Sequence, residues 1–420
     1  MANTVEISYG RGKLSVDLDK YPAKAVLKVD PDFPHGLSVQ ESLEKPIGSA
    51  RLSELTANIK RLLIITSDHT RPLPSKKTLP FLLKEARLKN PGLDIHILIA
   101  TGCHRAMSEQ EMHSRFGEEL LKNETFLCHN AKADGDMVFK GHLPSGGELW
   151  MNKEVDWADM VVAEGFIEPH LYAGFSGGRK SILPGICSYK TVCSNHCAKF
   201  VNSPESRPGN LEGNRMHLDM LYAAQQAGLK FILNVVLSDE GEIIASFAGD
   251  SREAHEAGCQ YVLAKQSLRP VKCDIAVTTN NGYPLDQNIY QSIKGMIAAN
   301  RCVRDGGEII LAAECSEGHG SELFYSYFCE GLSTRELYEK ISARDATETK
   351  LDQWQAQVIT KILLRCHVTL VACEKNKEYA AKMGLDWCAT LDEALEKAYA
   401  RAGKNAELVV IPDGVSVIFP

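Results

Sequence analysis

Residues 160–185 read MVVAEGFIEPHLYAGFSGGRKSILPG, an apolar run followed at once by a glycine-rich loop. The apolar part, residues 160–163, is typical of a strand that is buried on both faces of a sheet. The loop contains His170 near its start and Lys180 near its end, with three glycines between them. Because glycine permits positive φ and a close approach to a ligand, the loop is predicted to bind a phosphorylated group.

This loop is close to a P-loop but does not match one. The pattern G-x-x-x-x-G-K-[ST] needs glycine where Arg179 stands, and Pro184 stops the helix that a P-loop would begin. Arg179 and Lys180 would still add positive charge beside a phosphate. A lysine among other cations can also be joined covalently to a cofactor, so two roles stay open for Lys180.

Two earlier apolar runs have the same design. Residues 62–66 lead into Asp68 and Arg71, and residues 95–100 lead into His104, with a predicted helix over residues 77–88 between them. Strand, loop and helix repeated in this way predict a parallel α/β sheet. Ligands bind beyond the carboxyl ends of such strands, so the three loops are expected to meet at one edge.

A second set of strands follows residues 267–270, which predict a domain boundary because they are short, polar and closed by proline. The strand over residues 274–279 leads into a polar loop and then to Gln291 and Lys294, which would share one helical face. We therefore predict two α/β domains, residues 1–270 and 271–420, with mainly parallel sheets and an active-site cleft between them. In this prediction, a final strand near residues 406–418 could return to the first domain.

Composition excludes several classes of protein. The 420 residues are 44% hydrophobic and 24% charged, as in a globular protein, and the net charge of −7 argues against nucleic-acid binding. The first residues do not resemble a signal peptide, and no apolar run is long enough to span a bilayer. We therefore expect a cytoplasmic protein with no membrane or nucleic-acid partner.

The 13 cysteines predict reduced thiols rather than a disulfide framework, because they are scattered and odd in number. Cys187, Cys193 and Cys197 form the one cluster, but it contains no C-x-x-C pair that would suit zinc.

His104 and His170 are the sharpest candidates for acid/base chemistry, since imidazole titrates near neutral pH. The ordinary alternative is a structural loop histidine bonded to backbone. Their positions directly after predicted strands favour function.

Several motifs in order resemble the nickel-dependent lactate racemase family. They are Asp68-His69-Thr70-Arg71-Pro72, Thr101-Gly102-Cys103-His104-Arg105, residues 168–185, Asn195-His196 and residues 287–296. The resemblance runs from the N-terminal strands to residues 411–414.

The resemblance implies a cofactor, the nickel-pincer nucleotide (pyridinium-3-thioamide-5-thiocarboxylic acid mononucleotide) carrying Ni(II), which is made by cofactor-synthesis proteins. It implies that Lys180 is joined to this cofactor, that His196 binds nickel, and that His104 and His170 are the acid/base pair. The remaining expectations divide between cofactor and substrate. Cofactor-binding residues are expected to be Asp68, Ser176, Gly177 and Gly178, and substrate-binding residues Arg71, Tyr172, Gln291, Lys294 and Trp354.

The chemistry agrees with this implication. Racemisation of a 2-hydroxy acid must break a C–H bond whose proton is barely acidic. Removal of hydride to a pyridinium-like acceptor gives a planar keto acid, provided that a base takes the hydroxyl proton. Two bases would serve the two enantiomers, and an imidazole nitrogen suits square-planar Ni(II).

The substrate stays open between lactate, the first choice, and a larger acid such as a sugar acid. Tyr172 favours the larger acid because its phenol adds a hydrogen-bonding group. Two other classes also remain: a nickel-cofactor carrier without catalysis, and a phosphate-transfer enzyme in which Asp68 would hold magnesium.

Overall fold

The structure, a computed structural model, describes residues 3–30, 33–238 and 241–419. The chain divides into two compact units. The first unit consists of Asp32–His196 and Pro204–Ala264, and the second of Met1–Pro31, Cys197–Ser203 and Lys265–Pro420.

The strands, in chain order, are β1 (Thr4–Tyr9), β2 (Gly12–Asp17), β3 (Ala23–Val26), β4 (Arg61–Ser67), β5 (Asp94–Ala100), β6 (Thr125–Cys128), β7 (Met137–His142), β8 (Glu148–Asn152), β9 (Met160–Phe166), β10 (Pro169–His170), β11 (Gly174–Phe175), β12 (Leu229–Leu237), β13 (Ile243–Asp250), β14 (Cys273–Thr279), β15 (Val303–Ala312), β16 (His367–Val371), β17 (Asp386–Cys388) and β18 (Leu408–Ile411).

The α-helices are α1 (Val39–Glu44), α2 (Leu52–Leu55), α3 (Ser75–Arg87), α4 (Glu109–Phe116), α5 (Glu118–Asn123), α6 (Glu154–Trp157), α7 (Tyr189–Asn195), α8 (Ala198–Val201), α9 (Arg215–Gln226), α10 (Glu253–Gln266), α11 (Ile289–Cys302), α12 (Glu322–Ser326), α13 (Thr334–Ser342), α14 (Gln353–Leu363), α15 (Lys377–Lys382) and α16 (Leu391–Ala402). Within the described ranges, no helix is both long enough and apolar enough to cross a membrane.

The first unit contains a six-stranded sheet in the order β13-β12-β9-β4-β5-β6. Every neighbouring pair is parallel except β12 and β13. The residues of β9 are all buried, as expected for a central strand covered on both faces. The order reverses between β4 and β9, because β5 and β6 lie on one side and β12 and β13 on the other. Such a reversal opens a crevice at the carboxyl ends of the two strands.

The second unit contains a six-stranded sheet in the order β17-β16-β15-β14-β18-β3, and all its neighbouring pairs are parallel. Its order reverses between β14 and β18. The helix α11, which carries Gln291 and Lys294, follows β14. The predicted substrate residues on α11 therefore come after a strand that borders the reversal point of their own sheet.

The prediction of a mixed α/β fold with mainly parallel sheets is confirmed. The unit boundaries differ from the predicted 1–270 and 271–420. Residues 1–31 and 197–203 group with the C-terminal segment, since β3 pairs with β18 and Gln357 donates to the carbonyl of Ala198. The final strand does not return to the first unit, because β18 lies between β14 and β3.

Candidate functional site

The loops after β4 and β5 are joined by a hydrogen bond between His104 and Asp68. His104 Nδ1 lies 2.8 Å from Asp68 Oδ2, and the imidazole is 43% exposed while the carboxylate is 2% exposed. Burial alone raises the pKa of Asp68, but the hydrogen bonds and charge of His104, with Thr70, outweigh it and lower the pKa to about 2. An ionised carboxylate fixes the proton of His104 on Nδ1, so in the neutral ring Nε2 has the lone pair of a base.

The loop after β4 is held by hydrogen bonds within the loop and by hydrogen bonds from α4. Thr70 donates its backbone N–H and its hydroxyl to Asp68 Oδ1, at 3.0 and 2.6 Å. Arg115, on α4, donates to the carbonyls of Ser67 and Arg71 at 3.2 and 2.6 Å. These bonds fix the backbone that carries Asp68 and Arg71.

The loop after β9 brings His170 and Lys180 together. The short strands β10 and β11 pair antiparallel, which turns the chain back sharply after His170. His170 Nδ1 accepts from the N–H groups of Tyr172 and Ala173 at 3.3 and 3.2 Å, so in the neutral ring Nε2 has the proton. Lys180 Nζ lies 3.4 Å from that Nε2, which is a proximity and not a donor–acceptor pair, since an ammonium and a ring N–H are both donors. Any group carried on Nζ would therefore lie next to the His170 imidazole.

His196 ends α7 with its ring buried. Its Nδ1 lies 3.1 Å from the carbonyl of Val192, which can only accept, so Nδ1 has the proton. Burial first, and then the charge of Lys180, lowers the pKa of His196 to about 3. A neutral imidazole oriented by a backbone carbonyl has the form that metal-ligating histidines take.

Tyr172 is near the imidazoles of both His170 and His196. Its ring centroid is 5.9 Å from that of His170 and 6.4 Å from that of His196, with edge-on geometry in both cases. The side chain is 4% exposed. The phenol predicted to contact substrate is therefore a mainly buried wall beside these rings.

The predicted phosphate-binding groups of the loop are already engaged. The Ser176 hydroxyl donates to the carbonyl of Phe166 and accepts from the N–H of Glu168, both at 2.9 Å. The N–H of Gly178 donates to Asn234 Oδ1 at 2.8 Å. Gly177 has φ +74°, and an added Cβ would lie 2.6 Å from the same Asn234 oxygen. Close packing against Asn234 on β12 explains Gly177, and close packing against His255 on α10 explains Gly178, while their contact with a cofactor phosphate stays a prediction.

Arg179 does not add charge beside a phosphate, contrary to expectation. Its side chain is 1% exposed and points into the first unit. Burial lowers its pKa to about 10, so the guanidinium remains charged at neutral pH.

In the second unit, Gln291 and Lys294 both lie half-buried on α11, one turn apart as predicted. The helix begins at Asn288, whose side chain accepts from the N–H of Gln291 at 2.9 Å. Trp354 Nε1 lies 3.2 Å from the hydroxyl of Tyr290, the residue before Gln291. The structure thus brings Trp354 next to the N-terminal turn of α11.

The donor chemistry of the first unit fits a nickel-bearing cofactor held at two points. Lys180 offers an amine for attachment, and His196 offers one oriented imidazole nitrogen. Among the residues that the structure describes, no group of three or more His, Cys, Asp or Glu side chains is suited to hold a metal ion. Nickel would therefore need further donor atoms that a cofactor brings with it.

The sequence interpretation missed the residues that support these loops. They are Thr70, Arg115, Asn214, His217, Asn234 and His255. Adjacent glycines at 177 and 178 indicated a close approach, but nothing in the sequence identified Asn234 and His255 as the approaching side chains.

The fold and these residues define a class of protein. It has two α/β units, of which the first presents a histidine–aspartate pair and a histidine–lysine pair at the reversal point of its sheet. Residues 9–209 match the family described as the lactate racemase N-terminal domain, and residues 268–419 match the lactate racemase C-terminal domain. The chain belongs to the lactate racemase family.

Similar proteins span its full length. A lactate racemase of Thermoanaerobacterium thermosaccharolyticum is 48% identical over 423 residues, covering 100% of this chain and 99% of that protein. A lactate racemase of Lactiplantibacillus plantarum is 44% identical over 420 residues, covering 99% of each. The structure of the T. thermosaccharolyticum lactate racemase apoprotein superimposes with a TM-score of 0.96 at 47% identity, covering 99% of this chain and 100% of that one. A Thermotoga maritima protein at 20% identity, with a TM-score of 0.65 over 91% of this chain and 98% of its own, shares the fold.

Proposed function

We propose that the protein is a racemase of a 2-hydroxy acid, with lactate as its substrate. The full-length similarity to two lactate racemases supports this substrate. The observation that carries the proposal is the strand order β9-β4-β5. His170 follows β9 and His104 follows β5, so they flank the loop of Arg71, on strands separated by roughly 10 Å. Two bases on either side of a bound substrate are what inversion requires.

The two histidines are prepared for opposite roles. His104 has its proton on Nδ1, bonded to Asp68, and so offers Nε2 as a base. His170 is bonded to backbone N–H groups at Nδ1 and so has Nε2 available for proton exchange. For one enantiomer, His104 would take the hydroxyl proton. His170, in its imidazolium form, would then give its Nε2 proton to the carbonyl oxygen when the opposite enantiomer forms and return to a neutral ring, and the reverse reaction would exchange the two roles.

The substrate's carboxylate needs a cationic partner. Arg71 suits it because a guanidinium can donate two parallel hydrogen bonds to a carboxylate. We propose Gln291, Lys294, Tyr172 and Trp354 as further substrate-binding residues. Tyr172, as a buried wall, would limit the space beside His170. The choice between lactate and a larger sugar acid depends on that space.

We further propose that a nickel-pincer nucleotide is attached to Lys180 and that His196 binds its nickel. The cofactor, when bound, would supply an acceptor for the substrate's hydride. The distance of 3.4 Å between Lys180 Nζ and His170 Nε2 supports this attachment point, because it would put the modified lysine beside one of the two bases. Cofactor-synthesis proteins would be needed to load the protein. Asp68, expected to contact the cofactor, orients His104 in this proposal.

The test uses nickel-loaded protein produced with cofactor-synthesis proteins and incubated with L-lactate. We expect D-lactate by chiral chromatography and a mass increase on the peptide that contains Lys180. His104→Ala and His170→Ala should each lower racemisation by on the order of 10² to 10⁴, the usual effect of losing an acid/base group.

His113→Ala is the matched control, because His113 is an exposed histidine on α4 and should leave racemisation unchanged. In single turnovers, the two loop variants should oxidise opposite enantiomers. Racemisation by metal-free, unmodified protein would overturn the cofactor assignment. Inactivity with lactate but activity with sugar acids would select the larger substrate, and nickel retention with no turnover of any acid would indicate a carrier.

A further inference from the structure

Arg179 is the largest of the fully buried side chains in the described chain. Its guanidinium has six partners. They are the carbonyls of Ala173 (2.7 Å), Phe175 (2.9 Å), Gly177 (3.2 Å) and Ser176 (3.4 Å), with His217 Nδ1 (3.0 Å) and His255 Nε2 (3.0 Å). None of these groups is a carboxylate. His255 Nε2 also lies 2.9 Å from the carbonyl of Ser176, which can only accept, so this nitrogen has the proton and the acceptors of the buried charge are the four carbonyls and His217.

The four carbonyls all belong to the chain between His170 and Lys180. This segment has little regular structure, so its buried carbonyls need hydrogen-bond donors from side chains. A guanidinium suits this task because its five N–H groups lie in one rigid plane. The Arg179 side chain thereby fixes the backbone path between His170 and Lys180.

His217 fixes the orientation of the guanidinium itself. Arg179 Nε donates to His217 Nδ1 at 3.0 Å. Burial, followed by the charges of Arg179 and Arg252, lowers the pKa of His217 to about 3, so the ring is a neutral acceptor. The first turn of α9 makes a second hydrogen bond to the loop. Asn214, the N-cap residue of α9, donates to the carbonyl of Tyr172 at 2.7 Å.

We propose that Arg179 is a positioning residue of the active site. Its guanidinium, oriented by His217, holds the backbone of residues 173–177 so that His170 keeps its tautomer and its place beside Lys180. The catalytic meaning of this arrangement rests on the proposed function. The positioning itself is a property of the cofactor-free protein and can be measured there.

The test compares two changes at His217. His217→Leu removes the acceptor, whereas His217→Asn keeps one, because the asparagine oxygen is attached at the same bond distance from the backbone as Nδ1. His129→Leu is the matched control. His129 is also buried, and its Nε2 lies 3.0 Å from the carbonyl of Cys187, outside this loop segment.

The first readout is the nitrogen NMR signature of the histidines in cofactor-free protein labelled with ¹⁵N-histidine. His170→Gln identifies the His170 signals. We expect the protonated-Nε2 pattern of His170 in the unaltered protein, in His217→Asn and in His129→Leu. In His217→Leu we expect averaging between the two tautomers. An unchanged His170 signature in His217→Leu would overturn the proposal, as would the same change in His129→Leu.

The second readout is steady-state kinetics of the loaded enzyme. His217→Leu should lower kcat by on the order of 100-fold, the effect of a small misplacement of a catalytic group, with KM nearly unchanged. His217→Asn should restore kcat to within a few-fold. If His217→Leu does not fold, Arg179→Lys replaces it: it keeps the charge but has three donors instead of five, and an unaltered His170 signature there would equally overturn the proposal. If the loaded, unaltered protein racemises nothing, the proposed function falls, while the NMR result still decides the positioning.

Discussion

Asp68 is ionised although it is almost completely buried, and this makes its contribution depend on pH. Its pKa falls from 3.8 to about 2, because bonds from His104 and Thr70 outweigh the opposing effect of burial. A carboxylate with a lowered pKa stabilises the folded state above about pH 4, and this stabilisation is lost as the pH falls through about 2. The shift corresponds to about 2 kcal/mol.

We therefore expect Asp68→Asn to lower the free energy of unfolding by about 2 kcal/mol at pH 7. The difference from the unaltered protein should shrink between about pH 4 and pH 2, as measured by urea unfolding across this range. Asp134→Asn, at an exposed residue, should have little effect. A difference that stays constant down to pH 2 would contradict the role given to the Asp68 charge.

The second residue prediction concerns His196. His196→Ala should release nickel from loaded protein, measured by elemental analysis after gel filtration, because the only protein nitrogen proposed for the metal is removed. The fold should persist by circular dichroism. Cys193→Ser is the control, since this buried thiol lies on the same helix. Loss of nickel from Cys193→Ser, together with retention in His196→Ala, would mean that the ligand has been misassigned.

At the scale of residues, candidate functional side chains could be predicted from the sequence where they follow an apolar run that forms a buried strand. His104, His170 and Lys180 were predicted because each comes directly after a buried strand. The burial of Arg179 could not be predicted, because the two histidines beside it lie on α9 and α10, distant in sequence, and its carbonyl partners are backbone groups that a sequence pattern does not reveal. For the same reason, the close packing of His255 against Gly178 could not be predicted.

Among the elements, α4 supports the loop after β4 through Arg115. Arg115→Met would leave the carbonyls of Ser67 and Arg71 without their donor. A lost bond to a charged group costs about 1.5–3 kcal/mol, so stability should fall by roughly that amount. We also expect KM for lactate to rise more than kcat falls, since the loop carries the proposed carboxylate partner Arg71.

Arg87→Met is the matched control. Arg87, at the end of α3, bonds Glu124 at 2.5 and 2.8 Å, away from this loop. It should lose stability by thermal denaturation while KM stays the same. An equal rise of KM in both variants would show that general destabilisation, and not the loop, determines KM.

The positions of helices and strands were largely predictable, because long apolar and amphipathic patterns are compatible with few other secondary-structure assignments. The run at residues 62–66 lies inside β4, and the predicted helix over residues 77–88 largely coincides with α3. The ends were less predictable. For example, β15 begins at Val303, and two glycines in its first part weaken the strand pattern there.

At the scale of the whole molecule, the sequence predicted two α/β domains but divided the chain at one point. The structure assigns three separate segments to the second unit. Such an arrangement depends on strand pairing between residues far apart, for which a local pattern contains no information. The strand β3 has only four residues, with alternating half-buried and exposed positions, so it could equally have been an edge strand of either sheet.

The pairing of β3 with β18 has a consequence for how the protein is made. Lys24 Nζ bonds Glu407 at 2.8 Å, across 383 residues of chain. At about 5–20 residues per second, roughly 20 to 80 s pass between the synthesis of these two residues on the ribosome. The strand β3 must therefore wait for β18, nearly the last strand to be made, before it can join its six-stranded sheet. During translation the first unit can complete its six strands while β3 remains unpaired, so one of the oldest strands of the chain is among the last to take its place.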